Sequence, residues 1–120
     1  PPTLPLTLRR LEHPTLPPAR GLAMARKAEE DTPDFAPLLL LKARHLVRGD
    51  EPEQAREALG AALDHGTEPD VRTRLLLELA LLRSPAERRC LLEEAVALNG
   101  NRVAAATAHL VLQRMERLGV

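Results

Sequence analysis

Residues 36–98 read APLLLLKARHLVRGDEPEQAREALGAALDHGTEPDVRTRLLLELALLRSPAERRCLLEEAVAL, and this stretch decides the fold. It holds two helical hairpins of the same plan. In the first, an apolar helix carries Leu38, Leu39, Leu40, Leu41, Ala43, Leu46 and Val47 and breaks at Gly49-Asp50; the next helix carries Ala55, Leu59, Ala62 and Leu63. In the second, a helix through Leu75, Leu76, Leu77, Leu79, Leu81 and Leu82 breaks at Arg83-Ser84. Its return carries Leu91, Leu92, Ala95 and Val96. Apolar residues recurring three and four apart line one side of a helix, which suits packing against a neighbour.

The rest of the composition agrees. The chain has 120 residues, enough for a core without staples, and only one aromatic, Phe35. Strands favour aromatic and β-branched residues, whereas Leu, Ala, Arg and Glu are good helix formers. An all-α protein follows. Eight of the 11 prolines crowd the first 37 positions, and the helical stretches beyond Pro85 are uninterrupted.

Start and stop signals divide the chain into seven helices. A short helix over 5–12 places Leu8 and Leu11 on one side with Leu4, with Thr3 as its cap and Pro14 as its end. A second runs from Pro17-Pro18 to Glu30, thin on its packing side (Gly21, Leu22, Ala25, Ala28), and Pro33 stops it. The third spans Ala36–Arg48, with Gly49 suited to a left-handed end. Asp50, three residues before Glu53, has the form of a capping box for the fourth helix, which Gly66 stops. Asp70 caps the fifth over 71–82. Ser84-Pro85-Ala86-Glu87 opens the sixth with a cap, a first-turn proline and a reciprocal Glu. Asn99-Gly100-Asn101 ends it near Leu98, and the seventh runs over 103–118.

The register carries more than the inventory. Asp50 to Ser84 is 34 positions, Ala28 to Ala62 is 34, and both Ala62 to Ala95 and Leu59 to Leu92 are 33. Two helices per 33–34 residues is the length of a tetratricopeptide unit. In that family the second helix of each unit carries a small residue, a large one four later and an alanine three after that. At these positions the chain shows Gly21, Ala25, Ala28 in the first unit and Ala55, Leu59, Ala62 in the second, while Arg88, Leu92, Ala95 departs at the first position. The chain thus resembles a degenerate tetratricopeptide array, with leucines where the family carries aromatics and no proline closing the third unit. The resemblance implies one domain over 1–120: a right-handed superhelix of three hairpins (1–33, 34–68, 69–101) and a capping helix (102–118). A helical-hairpin solenoid of another kind is the alternative.

Function is read from what the helices display. The first helices of successive units line the concave side of such a stack. The third helix mixes Leu38 and Leu41 with Lys42, Arg44, His45 and Arg48 on one side, a combination that offers burial and charge to a partner peptide. One repeat further, Arg44 maps to Glu78, and His45 maps through Leu79 to Gln113. The candidate groove is Leu41, Arg44, His45, Arg48, Arg74, Glu78, His109 and Gln113. The alternative is solvated helix surface with leucines covered by neighbouring units.

Other chemistries find little support. The four histidines (His13, His45, His65, His109) lack the spacing of a helical metal site, and no cofactor is implied. His65 suits a helix end. Cys90 excludes an internal disulfide and is expected as a half-buried structural thiol; no nucleophile turn or phosphate loop is present. The reading is a non-enzymatic module for another protein or peptide. Formal net charge is zero and aromatics are nearly absent, which argues against nucleic acid, with a helical-repeat RNA reader through Arg72, Arg74, Arg88 and Arg89 as the alternative. The longest apolar run, Leu38–Leu41, is too short to insert in a membrane. Homodimerisation, or a regulatory place in a larger protein, stays open. Pro1-Pro2 in place of an initiator Met suggests a processed piece. The lone cysteine fits the cytoplasm, with a periplasmic site also open, and the Arg-over-Lys usage suits a GC-rich bacterial source.

Overall fold

Leucine and alanine at helical spacing, with a proline at almost every helix start, produce helices and nothing else among the described residues. The computed structural model describes residues 4–65 and 67–120. Among them are seven helices: α1 (Leu4–Leu11), α2 (Pro18–Asp31), α3 (Ala36–Arg48), α4 (Pro52–Asp64), α5 (Pro69–Ala80), α6 (Pro85–Leu98) and α7 (Arg102–Leu118). The expected cap at Thr3 and stop at Gly66 lie outside the described residues.

The helices form two compact units, Pro1–His65 and Gly66–Val120. In the first unit α2 packs on α3 and α3 on α4, while α1 lies against both α2 and α3. In the second, α6 packs on α5 and α7 closes against both. Sequential neighbours therefore pair as hairpins within each unit. The central helices are α3 and α5, which bury Leu38, Leu39, Leu40, Leu41 and Leu46, and Leu75, Leu76 and Leu79 respectively. A fully buried leucine contributes about 1.5–3 kcal/mol relative to an exposed one, so these two helices dominate the cohesion of their units.

The repeated small–large–small positions are packing positions. Gly21 and Ala25 are buried on α2, Ala55, Leu59 and Ala62 on α4, and Leu92 and Ala95 on α6. Arg88, the residue out of pattern, has a specific role. Its Nε donates to the Ala80 carbonyl (3.1 Å) and its NH2 to the Arg83 carbonyl (3.1 Å). The guanidinium thus joins the Arg83 N–H on the Ala80 carbonyl and holds the Arg83 carbonyl in the turn beyond α5.

Several boundaries differ from the sequence reading, each for a local reason. Gly49 has φ −88°, and the left-handed residue after α3 is Asp50, with φ 61°. Glu51 N–H donates to Leu46 O (2.8 Å) and Asp50 N–H to Val47 O (3.0 Å), the double bond pattern of a Schellman end. Asp50 therefore finishes α3 and does not cap α4; Glu53 pairs with Arg56 instead. Helix α5 begins two residues early because Pro69 needs no N–H and has φ set for a first turn, which places Asp70 inside the helix. Ser84 does stand at the start of α6, but its hydroxyl meets the Glu87 carboxylate (3.3 Å) and caps no backbone N–H. Asn99, with φ 46°, takes the left-handed position after α6, and Asn101 caps α7 by accepting from Ala104 N–H (2.9 Å). Cys90 is exposed, contrary to the half-buried thiol expected. It stands two residues, a little over half a turn, from buried Leu92, so it points away from the packed side.

Candidate functional site

The eight residues proposed from sequence fall in both units, four on α3 and four on α5 and α7. On α3, Leu41 is 3% exposed and His45 2% exposed, and both belong to the interior. The ring of His45 lies against Gly21 of α2, where an added Cβ would sit 2.4 Å from its Nδ1 and Cε1. Its Nε2 donates to the Leu11 carbonyl at the end of α1 (2.8 Å), a contact between residues 34 apart. Because a carbonyl can only accept, the proton of this bond sits on Nε2. Nδ1 is buried with no hydrogen-bond partner among the described residues.

One turn further along α3, Arg48 is exposed but occupied. Its NH2 donates to the Leu16 carbonyl (2.9 Å) and, at longer range, to the Pro14 carbonyl (3.4 Å). His45 and Arg48 therefore hold the main chain of 11–16 by its carbonyls. With Arg44, Leu41 and residues 11–14 they wall an open cleft of about 270 Å³. The row of Leu38, Leu41, His45 and Arg48 is thus for the most part interior, with Leu38, Leu41 and His45 buried. In the folded unit it receives the chain's own N-terminal turn.

The second unit arranges its four residues differently. Arg74 and Glu78 of α5 are half-buried, whereas His109 and Gln113 of α7 are exposed. Beside them on α7 lies a row that the sequence reading did not single out. Val103 is 77% exposed and Leu110 63%, and Ala106, Arg114 and Arg117 are exposed with them. Positions 103, 106, 110, 114 and 117 recur at helical spacing, so they form one outward side. The opposite side buries Ala104, Ala105, Ala108 and Met115. The signal was present in the sequence as an alanine-rich stripe, which packs closely, facing a stripe of larger side chains.

Thr73 is the other missed residue. It is fully buried on α5; its hydroxyl donates to the Pro69 carbonyl (2.7 Å) and accepts from Gly100 N–H (2.9 Å). Asp70 accepts from the Asn101 side chain (2.7 Å) alongside. This is structural chemistry, tying the α6–α7 turn to the start of α5.

Among the described residues no group of three His, Cys, Asp or Glu could hold a metal ion, and no helix is long and apolar enough to cross a membrane. Comparison with known proteins returned no matching family model, no matching curated protein and no matching solved structure.

Proposed function

We propose that the chain is a non-enzymatic interaction module of degenerate tetratricopeptide-like hairpins, and that it engages another protein through the second unit. The observation carrying this reading is the outward side of α7, where Val103 and Leu110 remain uncovered beside His109 and Gln113. Scattered exposed leucines are ordinary on a protein surface. Apolar residues aligned along one side of a helix and bordered by cations are what a docked helix or peptide uses for affinity and orientation. Of the eight residues proposed for the groove, His109 and Gln113 are therefore placed at its edge. Leu41 and His45 support the first unit from inside.

The repeat period supports the family resemblance, since the positions it relates are the ones that pack. A preformed helix surface loses little conformational entropy on binding, which favours recognition by a rigid face. The test is a photo-crosslinking amino acid placed in producing cells at Leu110 or at Gln113 on α7, with Arg48 of α3 as a third, comparison position. A protein adduct at either position is the expected result. An adduct obtained only from position 48 would move the surface to α3, and none at any of the three would remove the binding reading.

A further inference from the structure

We infer that the outward side of α7 docks on α4 of a second copy of this chain. The inference rests on the reading of α7 as the interaction surface and names its occupant. Its ground is complementarity of charge and shape between two helices of the same sequence. Helix α7 carries Arg102, Arg114 and Arg117 against one acid, Glu116, and its outward row ends in Arg114 and Arg117. Helix α4 carries the reverse: Glu53, Glu57 and Asp64 against Arg56. Glu53, Glu57, Gly60 and Asp64 recur at helical spacing, so they share one side of α4. The three acids are exposed and Gly60 is half-buried.

Shape adds to charge at Gly60. A Cβ built there would meet nothing within 4 Å, so the glycine leaves a dent between the acidic side chains. Leu110, 63% exposed, is the projecting side chain at the middle of α7's row. Seat Leu110 over Gly60 with the helices antiparallel, and the charges fall into register. Arg114 and Arg117 lie about 6 and 10.5 Å along the axis from Leu110, while Glu57 and Glu53 lie about 4.5 and 10.5 Å from Gly60. Arg117 then shares Glu53 with Arg56, its existing partner, and Arg114 meets Glu57. Toward the other end Ala106, about 6 Å from Leu110, lies over Asp64, about 6 Å from Gly60.

The contact joins different surfaces of the two copies, so it is heterologous and runs on into chains unless it closes in a ring. One helix crossing buries less than the roughly 1,200–2,000 Å² of a stable interface, so the association is weak and sensitive to salt.

Sedimentation equilibrium of the full chain tests it. The expected weight-average mass rises with concentration and falls back as salt is added. The pair R114E/R117E and the pair E53R/E57R each leave a monomer with an unchanged helical spectrum, because all four positions lie on the surface. Mixing the two variants restores association, because each variant's α7 then meets an α4 of opposite charge on the other, and the two alternate along the assembly. A monomer at every concentration, or self-association indifferent to both reversals, overturns the inference. If the chain is monomeric while position 110 crosslinks to another protein, only the choice of a second copy falls. If it is monomeric and position 110 gives no adduct, the reading of α7 falls too.

Discussion

The two units solve one packing problem with different chemistry. Each has a central apolar helix carrying a single buried polar side chain that reaches a backbone group of a neighbouring segment beside a glycine. In the first unit this is His45, whose ring fills the space over Gly21 and whose Nε2 donates to Leu11 O. In the second it is Thr73, which both donates and accepts, next to Gly100 against Pro69. The threonine lock is complete, since its hydroxyl uses both capacities. The histidine lock leaves Nδ1 buried and unpartnered, a loss of about 1–3 kcal/mol of solvation for a group of this kind. The difference shows where each unit is sensitive: the second to its turn backbone, the first to the volume of one ring.

Gly100 is the sharpest place to break the comparison. An added Cβ would sit 2.1 Å from the Pro69 carbonyl oxygen, a backbone atom that cannot swing away. Gly100→Ala is expected to cost about 3 kcal/mol, with the loss of protection in hydrogen exchange confined to amides of α5–α7. Gly21→Ala meets a side chain instead, at 2.4 Å, and is expected to cost about 2 kcal/mol by urea denaturation. Because the clash is with His45 alone, the double variant Gly21→Ala/His45→Ala is expected to cost less than the sum of the two singles. Strict additivity would show that the ring does not fill the glycine's space.

The smallest effect sharpens the contrast between the ends of the two central helices. Helix α3 stops through Asp50 in the left-handed region, whereas α5 runs out in turn bonds from Leu82 N–H to Leu79 O and from Arg83 N–H to Ala80 O, with Arg88 Nε also donating to Ala80 O. A side chain at positive φ costs about 1–2 kcal/mol, somewhat less for Asp, so Asp50→Gly is expected to stabilise the protein by about 1 kcal/mol in thermal unfolding. No comparable gain is available by glycine substitution at the end of α5, where Leu81 has φ −67°.

These contrasts also mark what the sequence could and could not convey. Periodic leucines and alanines named all seven helices, because burial of one side leaves a repeating trace along the chain. The 33–34-residue spacing led to the positions that pack, such as Leu59 and Leu92, because equivalent residues face equivalent neighbours. In the sequence Asp50 has the form of a cap because Gly49 beside it is the more permissive residue; only the hydrogen bonds accepted by Leu46 and Val47 distinguish the two roles. The placing of His45 depended on which helix lies over it, and Gly21, 24 positions away, is the cue that a ring needs room there. In the same way the row on α7 stands out only once Ala104, Ala105 and Ala108 are known to face inward.

Leu110 bears the greatest weight, as a side chain that serves contact with another molecule and not the core. Leu110→Asp should leave thermal stability within about 0.5 kcal/mol of the parent while abolishing both self-association and the crosslink at Gln113. A stability loss the size of a core leucine, or association that survives the substitution, would contradict it.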